Sequence, residues 1–453
     1  ASTVGFKMEI TNPKHLSGLS ESFKASIKVG NEERWVVGLN RSPFETFMTQ
    51  STNRDLRKKL FDGYRLRGSS GDSNNGPIVI KIAQLRSERA QLMGYKSHAH
   101  YQLEPRMAKT PEAAVAFLLR VWNPGLERVK NELSDIQSLI EADGETYKAE
   151  GQDWWHYAER VRQERYEFDD AALAPYLELN AVREGAFDVA NKLFGISFEE
   201  VETPVWNPVV TTYDVKDENG THLGLFMMDM YARDSKRGGA WMNTFRSASD
   251  IQGNRVRPLV TNNMNLTPPP AGEPTLMRFD EVVTLFHEFG HGLHGMLGEG
   301  KYASLTGTSV TWDFVELPSQ FMENWCFQPE ELSKWAKHHK TGESMPNSII
   351  SNIKKSQKFL EGMATIRQIG LGLLDLAWHD PKEKIQNHIE LEKNILTDLE
   401  LLNYEPEASI SPAFSHIFAG GYSAGYYSYK WSEVLDADAF SRFINEDNKN
   451  LVA

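Results

Sequence analysis

The stretch FHEFGHGLHGML (286–297) carries His287, His291 and His294 together with Glu288. An α-helix turns by about 100° per residue, so residues four apart share a face and lie about 6 Å apart along the axis. His287 and His291 have this spacing, and two such imidazoles can reach one Zn²⁺ at about 2.0–2.1 Å. His287 and His294 are about 10 Å apart along the axis, too far for one ion. His291 and His294 stay compatible with a shared metal on geometry alone.

The glutamate decides between these pairs. In the pattern H-E-x-x-H, the glutamate beside the first histidine points to the metal-bound water and takes its proton. Only the pair His287 and His291 gives Glu288 this position. We therefore predict these two histidines as ligands and Glu288 as general base. His294 is then predicted to support the site, behind the ligands or in helix packing.

A third ligand is expected, because a catalytic zinc uses three protein ligands and leaves one position for water. The downstream stretch GTSVTWDFVELPSQFMENW (307–325) is amphipathic and contains Asp313, Glu316 and Glu323. Spacing alone does not choose between Glu316 and Glu323, which lie seven residues apart on one helical face. The alternative is that all three acids are surface charges.

The composition excludes several classes of protein. The chain of 453 residues has a net charge of -13, so nucleic acid is not an expected partner. No apolar run approaches the roughly 18 residues that a membrane span needs, so no membrane partner is expected either. Cys326 is the only cysteine, which excludes an internal disulfide and thiolate metal sites. A reducing compartment fits this usage, so we expect a cytoplasmic protein, although a periplasmic or exported one would also fit.

Helical patterns dominate the chain. Residues 110–144 begin with Thr110 as N-cap and Pro111 in the first turn, which is typical of a helix start. Pro124 and Gly125 are expected to break or kink this helix midway. The stretch SIISNIKKSQKFLEGMATIRQIGLGLLDLAW is also predicted to be helical from its apolar spacing.

Strand patterns cluster just before the histidine-bearing stretch, at 207–215, 222–232 and 257–266. They predict a small sheet beside the metal-binding helix, with VTNNMN as its candidate edge. A sheet edge can hold an extended peptide through its backbone, whatever the peptide sequence. The loop RDSKRGGAW (233–241) is a candidate contact for the C-terminal carboxylate of a peptide, through Arg233, Lys236 and Arg237. A plain surface loop is the alternative.

The segment HIFAGGYSAGYYSY (416–429) places Tyr422, Tyr426 and Tyr429 at i, i+4 and i+7, one face of a helix. A buried aromatic stripe would explain this spacing. Peptide hydrolysis at zinc gives another explanation, since a phenol can donate a hydrogen bond to the oxyanion without adding charge. The glycines of the segment would allow close approach of the substrate and loop movement.

Three motifs in order carry a family resemblance: FDEVVTLFHEFGHGLHGML, DFVELPSQFMENW and FSHIFAGGYSAGYYSYKWSEV. Together they resemble the thimet oligopeptidase and peptidyl-dipeptidase family of zinc metallopeptidases. The resemblance covers the chain from about Trp154 onward and continues more weakly toward the N-terminus. MMDMYARDSKRGGAWMNTF and VTNNMNLTPPPAGEPTLMRFDEV look closer to the bacterial peptidyl-dipeptidase (dipeptidyl carboxypeptidase) branch than to the thimet endopeptidases.

The resemblance implies one Zn²⁺ per chain, with His287, His291 and Glu316 as its ligands and Glu288 as general base. Asp313 would accept a hydrogen bond from a ligand histidine and fix its ring. In the last motif the implied roles are transition-state donors or substrate contacts, and the residues are His416, Gly420, Gly421, Tyr422, Tyr426 and Tyr429. Of these, Tyr422, Tyr429 and His416 are the implied catalytic groups.

The implied fold is mainly α, a two-lobed zincin-like (neurolysin-type) body with a deep central channel and a small β-sheet beside the zinc helix. Residues 1–150 would form a mostly helical part of the distal lobe, and residues 151–453 the catalytic region. Family members extend further at both ends. The chain is therefore expected to be a natural short form, a proteolysed product or part of a longer protein.

Two modes of hydrolysis and one non-enzymatic role follow. The first is a peptidyl-dipeptidase that releases C-terminal dipeptides from short unfolded peptides. The second is an oligo-endopeptidase of the thimet type with the same chemistry. The third, disfavoured by the presence of Glu288, is an inactive zinc- or peptide-binding protein. The chain is expected to act as a monomer, alone or together with the N-terminal part of a longer protein.

Overall fold

The computed structural model describes residues 5–69, 71–166, 170–233, 235–270, 272–397 and 409–444. The chain divides into two compact units, each built from two segments. The first unit comprises Ala1–Arg165 and Phe359–Lys430, and the second comprises Tyr166–Lys358 and Trp431–Ala453. This division differs from the predicted boundary at residue 150, because the chain returns to the first unit after completing most of the second.

The fold is mainly helical, as predicted. The helices are α1 (Glu21–Ile27), α2 (Arg41–Gln50), α3 (Arg54–Arg65), α4 (Gly76–Leu92), α5 (His98–Leu103), α6 (Pro111–Ala142), α7 (Trp154–Tyr166), α8 (Asp170–Leu173), α9 (Leu179–Phe194), α10 (Phe279–Leu297), α11 (Leu317–Glu323), α12 (Pro329–Trp335), α13 (Asn347–Ser356), α14 (Glu361–His379), α15 (His388–Thr397), α16 (Ser415–Phe418) and α17 (Ser428–Ile444). The strands are β1 (Lys7–Ile10), β2 (Trp35–Gly38), β3 (Ser197–Glu200), β4 (Thr211–Lys216), β5 (His222–Tyr231), β6 (Trp241–Arg246), β7 (Ser249–Ile251), β8 (Asn254–Val256) and β9 (Leu259–Leu266). Within the described ranges, no helix has both the length and the apolar character to span a bilayer.

The longest helix of the first unit, α6, packs along α14. The Thr110 side chain caps its start by accepting from the N–H of Ala113 at 3.2 Å. The helix continues through Pro124, so the predicted break there is wrong. Helices α6 and α14 approach closely beside this proline, because at Gly125 a Cβ would lie only 3.0 Å from the Ile366 side chain.

The sheet of the second unit has the strand order β3-β4-β5-β9-β6. The parallel pair β5 and β9 lies inside it, and the other pairs are antiparallel. β4, β5 and β9 match the predicted strands, whereas β3 and β6 were not predicted. The prediction that VTNNMN forms the sheet edge is wrong, because β9 has neighbours on both sides. One edge is instead β6 (Trp241–Arg246).

Helix α10 lies against this sheet and shares its core. Phe289 of α10 packs on Phe226 of β5 with ring centroids 5.7 Å apart, and on Phe187 of α9 at the same distance. All three rings are buried. Burying a large aromatic side chain is worth roughly 1.5–3 kcal/mol, so this cluster fixes α10 on the sheet. The predicted small sheet beside the metal-binding helix is confirmed.

Candidate metal centre and tyrosine cluster

The crossing of α10 and α11 brings the third candidate ligand to the histidines. At Gly290, a Cβ would lie 2.4 Å from the Pro318 carbonyl oxygen and 2.6 Å from Ser319 Cα. Only glycine leaves room for this approach. Glu316 immediately precedes α11, so the close crossing carries its carboxylate to the face of α10 that bears His287 and His291.

The three predicted ligands converge on one point. Glu316 Oε2 lies 3.3 Å from His287 Nε2 and 3.1 Å from His291 Nε2. These three residues form a group whose ligand atoms all lie within 4.8 Å of one another. A tetrahedral zinc with ligands at about 2.0–2.2 Å has neighbouring ligand atoms about 3.3 Å apart. The donor set of two imidazoles and one carboxylate and its spacing therefore fit Zn²⁺.

The charge arrangement also calls for a cation. His287 Nδ1 lies 2.6 Å from Glu323 Oε1, and a carboxylate can only accept, so Nδ1 carries the hydrogen. His287 Nε2 is then left facing the Glu316 oxygen. Burial alone lowers the pKa of His287, but the Glu316 and Glu323 carboxylates raise this pKa well above its ordinary value. A site that favours a proton this strongly without metal also favours a metal ion.

Glu316 is itself fixed in place. Its side chain is fully buried, and the Ser319 hydroxyl donates to Oε2 at 2.9 Å. Burial raises the pKa of Glu316, but the two histidines hold it well below the ordinary value. The carboxylate is therefore ionised and ready to bind a metal.

Glu288 has the features expected of a general base. It is buried beside the ligand histidines, and its Oε2 has no hydrogen-bond partner in the structure. Burial raises its pKa above the ordinary value. A raised pKa moves a carboxylate toward the range in which it exchanges protons efficiently near neutral pH.

The residue that orients His287 is Glu323, which the sequence interpretation weighed only as an alternative ligand. Asp313, given the orienting role by resemblance, is fully buried, and its carbonyl oxygen accepts from the Ser432 hydroxyl at 3.0 Å. His291 Nδ1 has no hydrogen-bond partner in the structure. The proposed contact between Asp313 and a ligand histidine thus stays a prediction. The orienting role of Glu323 was not predicted, because its contact with His287 crosses from α11 to α10.

His294 lies one turn beyond the ligands and packs its ring on Phe314 at a centroid distance of 6.4 Å. Burial, with a smaller effect of His291, lowers the pKa of His294 to about 4. The supporting role of His294 stays a prediction, and the structure shows its ring packed on an aromatic side chain.

The aromatic residues of the last motif gather in the first unit. Tyr422 and Tyr429 stack with centroids 5.2 Å apart, and Tyr426 lies 5.1 Å from Tyr429. The His416 ring is 5.8 Å from both Tyr422 and Tyr426. The prediction of a continuous helical face is wrong, because residues 423–427 form a turn and α17 begins only at Ser428. Gly420 and Gly421 precede this turn.

Two of the three cations proposed to meet a substrate carboxylate are already engaged. Arg233 donates to both Asp229 oxygens, at 2.8 and 2.7 Å, and Lys236 donates to Asp229 Oδ1 at 3.0 Å. Asp229 is buried, and these partners lower its pKa to about 2 against the effect of burial. The contact of Arg233 and Lys236 with a substrate carboxylate stays a prediction, and in the structure both side chains pair with Asp229. Arg237 lies over the Trp241 ring at 4.4 Å.

Comparison with known proteins agrees with these motifs. A family model described as "Peptidase family M3" matches residues 47–452. A dipeptidyl carboxypeptidase of Salmonella typhimurium is 38% identical over 442 residues, covering 95% of this chain and 65% of that protein. Oligopeptidase A of the same organism is 36% identical over 465 residues, covering 98% of this chain and 67% of that protein.

The chain thus spans about two thirds of the length of these relatives. Among solved structures, a putative oligoendopeptidase F from Bacillus anthracis str. Ames matches with a TM-score of 0.46 and 13% identity, covering 95% of this chain and 64% of that one. The family match extends over most of the sequence and includes all three motifs. The chain belongs to peptidase family M3.

Proposed function

We propose that this chain is a zinc-dependent peptidase that hydrolyses short peptides and releases C-terminal dipeptides. The observation that carries the proposal is the convergence of His287, His291 and Glu316, with the unpartnered Glu288 oxygen buried beside them. The similarity to dipeptidyl carboxypeptidases, at 37–38% identity, supports the release of dipeptides.

The proposed roles follow from the chemistry of each group. When bound to His287, His291 and Glu316, Zn²⁺ supplies Lewis-acid activation of a water and of the scissile carbonyl. Glu288 takes the proton of the attacking water and later delivers it to the leaving amine. Tyr422 and Tyr429 donate hydrogen bonds to the oxyanion.

The remaining members of the last motif have roles assigned by resemblance. We propose that His416 contacts the substrate or the intermediate, and that Tyr426 lies next to the bound peptide. Gly420 and Gly421 would let the peptide backbone approach this segment. Asp313 and His294 are proposed to support the ligand histidines.

Strand β6 is a suitable place to hold the peptide. In the described part of the second unit, β6 pairs with β9 alone, so it is an edge strand of that sheet. An extended peptide can add to such an edge through backbone hydrogen bonds. β6 also packs against α10, which carries the ligand histidines. Arg237, beside Trp241 at the start of this strand, is a candidate contact for the peptide's C-terminal carboxylate.

The test measures bound zinc and hydrolysis of a free-ended peptide for the native protein and for Glu288→Gln. General-base catalysis contributes roughly 10²–10⁴-fold, so Glu288→Gln should keep its zinc and lose at least about 100-fold in kcat. Glu218→Gln, at an exposed position of the same unit, is the control and should match the native protein. Zinc binding with hydrolysis indifferent to Glu288→Gln would refute the mechanism. Zinc binding without any hydrolysis by the native chain would favour a binding protein.

The similarity to oligopeptidase A supports a second mode, cleavage within oligopeptides. A substrate amidated at its C-terminus separates the two modes. A dipeptide-releasing enzyme should lose most activity on it, because the recognised carboxylate is gone. An oligo-endopeptidase should cleave the blocked and free peptides at similar rates. Mass spectrometry of the products identifies the cleaved bond.

A further inference from the structure

A buried carboxylate holds the turn that precedes Tyr429. Asp375, on α14, is fully buried. Its two oxygens accept from three consecutive backbone N–H groups, at 2.9 Å from Ala424, 2.7 Å from Gly425 and 2.9 Å from Tyr426. Hydrogen bonds to an ionised acceptor are about twice as strong as neutral ones. This one side chain therefore defines the path of the turn.

Asp375 also forms a hydrogen bond with a side chain of its own helix, His379. His379 Nδ1 lies 2.8 Å from Asp375 Oδ1, and Arg86 Nη1 lies 2.9 Å from His379 Nε2. Arginine can only donate, so His379 Nε2 accepts and Nδ1 carries the hydrogen that Asp375 accepts. Arg86 also donates to the Ile417 carbonyl at 2.7 Å. The hydrogen bonds from Arg86 through His379 to Asp375 thus connect Ile417, near the start of the tyrosine segment, to the turn before Tyr429.

The turn has a conformation that needs such support. Ala424 has φ of +52°, in the left-handed region that is costly for alanine. Arg106 donates to the carbonyls of Ser423 and Ala424. A strained backbone conformation of this kind persists only when several surrounding groups hold it in place. Here Arg106 binds the carbonyl groups of the turn, and Asp375 binds its N–H groups.

We propose that Asp375 is a positioning residue for catalysis: by fixing the turn at 423–427, it places the hydroxyls of Tyr422 and Tyr429 for the reaction. The link is short and runs through backbone hydrogen bonds. Gly425 N–H donates to the Tyr422 carbonyl at 2.9 Å, and the same N–H lies at the Asp375 carboxylate. The inference rests on the proposed function, which assigns the two tyrosines as donors.

The first test is Asp375→Asn, assayed as the zinc-loaded full chain. The amide nitrogen of Asn cannot accept, so at least one backbone N–H of the turn loses its acceptor. Removing one oxyanion donor typically costs 10²–10³-fold in kcat. Misplacing the donors should cost about 10–100-fold in kcat, with KM within about twofold and zinc content unchanged.

The second test separates positioning from general stability. If Asp375 acts through the tyrosines, its effect should largely vanish when their hydroxyls are gone, as for residues that act as one unit. Adding Asp375→Asn to the double variant Tyr422→Phe/Tyr429→Phe should lower kcat by less than about threefold. A full multiplicative loss in that background would overturn the proposal. So would an unchanged kcat for Asp375→Asn alone.

The matched control is another buried carboxylate of the same unit. Glu132 accepts from the N–H groups of Gly362 at 3.0 Å and Met363 at 2.9 Å, at the start of α14. Glu132→Gln should lower Tm but keep kcat, and an equal loss of kcat would overturn the proposal.

If Asp375→Asn does not fold, Asp375→Glu keeps the charge and displaces it, and it should show the same loss of kcat with KM unchanged. Each rate is corrected by subtracting the rate of the same variant with Glu288→Gln. If the native protein shows no Glu288-dependent hydrolysis, the proposed function fails, and this outcome is seen before any Asp375 variant is compared.

Discussion

At the scale of single residues, the metal centre depends on a contact that the spacing of the motif does not contain. Glu323 fixes His287 through a bond of 2.6 Å to Nδ1. This bond sets the tautomer that leaves Nε2 to bind a metal. The second candidate ligand differs, because His291 Nδ1 has no hydrogen-bond partner among the residues that the structure describes. A carboxylate therefore holds His287, whereas a partner that orients His291 stays a prediction, with Asp313 as its candidate.

We expect Glu323→Ala to weaken zinc binding by about 10–100-fold, the usual effect of losing a group that orients a metal ligand. The physical reason is that His287 loses the acceptor that fixes its ring. Competition with a fluorescent zinc chelator measures this affinity. The control is Glu330→Ala, at an exposed glutamate in the first turn of α12. Equal affinities for Glu323→Ala and the native protein would contradict the assignment.

Asp436 gives the second residue-scale prediction, in the pH dependence of stability. Burial, with the charges of Glu323 and Glu433, raises the pKa of Asp436 to about 6, although Asn324 donates to it. A folded-state pKa above the unfolded value of 3.8 means that the native state loses stability as pH rises from about 4 to about 6. At 1.36 kcal/mol per pH unit, the loss is about 3 kcal/mol.

Asp436→Asn should therefore be more stable than the native protein at pH 7.5, by up to about 3 kcal/mol, and equally stable at pH 4. Denaturant unfolding at the two pH values measures the difference. Asp438→Asn, at an exposed position on the same helix, should show no such pH-dependent gain. A destabilised Asp436→Asn at pH 7.5 would show that the ionised carboxylate is favourable in the fold.

At the scale of elements, the candidate metal centre depends on the crossing of α10 and α11. The ligands on α10 are local in sequence, but Glu316 reaches them only because α10 and α11 touch at Gly290. The adjoining Ser319 hydroxyl then holds Glu316 Oε2. The spacing of α10 and α11 therefore controls the spacing of the ligand atoms.

Gly290→Ala should separate α10 from α11 and move Glu316 away from the histidines. The added Cβ would meet backbone atoms at 2.4 and 2.6 Å, which cannot rotate away. Overpacking of this kind costs about 1–3 kcal/mol, and we expect zinc affinity to fall at least tenfold. Calorimetry and zinc competition measure the two effects.

Gly292→Ala is the matched control on the same helix. There the added Cβ would lie 3.2 Å from side-chain atoms of Asn262 and Phe226, which can adjust. Its effect on stability and on zinc affinity should be smaller. Similar effects of the two substitutions would contradict the role of the α10–α11 crossing.

At the scale of the whole molecule, the two units depend on separate hydrophobic cores. The ligand-bearing helices α10 and α11 belong to the core of the second unit. The tyrosine turn and α14 belong to the first unit. A ligand that binds only the native state raises the free energy of unfolding of the part that binds it. The increase is about 2.7 kcal/mol when the free ligand concentration is a hundred times the Kd.

Removing zinc with a chelator should therefore act most strongly on the ligand-bearing elements. Hydrogen exchange followed by mass spectrometry should show faster exchange in α10 and α11, and little change in α6 of the first unit. Adding zinc back should restore the protection. Equal changes in α6 and α10 would show that the metal stabilises the chain in another way.

The sequence predicted those parts of the site and fold that depend on local spacing. His287, His291 and Glu288 follow from the pitch of a single helix, and the helical character of α6 and α14 follows from apolar periodicity. The helical stretch predicted over 348–378 is divided in the structure into α13 and α14, which are separated at residues 357–360. The short strands β3 and β6 were missed because few residues carry their pattern. The tyrosine spacing fitted a helix, but the segment contains Gly420, Gly421 and Gly425, and its turn is fixed by Asp375, far away in sequence.

By itself, then, the sequence determined the candidate metal ligands on α10, the base beside them, the mainly helical class and the peptidase family. These features depend on residues that are close in sequence, or on sequence motifs and the order in which they occur. Only the tertiary structure decided that Glu323 orients His287, that β6 is a sheet edge, and that Asp375 holds the tyrosine turn. The physical reason is that each of these depends on which elements pack together, and a contact between distant segments leaves no periodic signal in the chain.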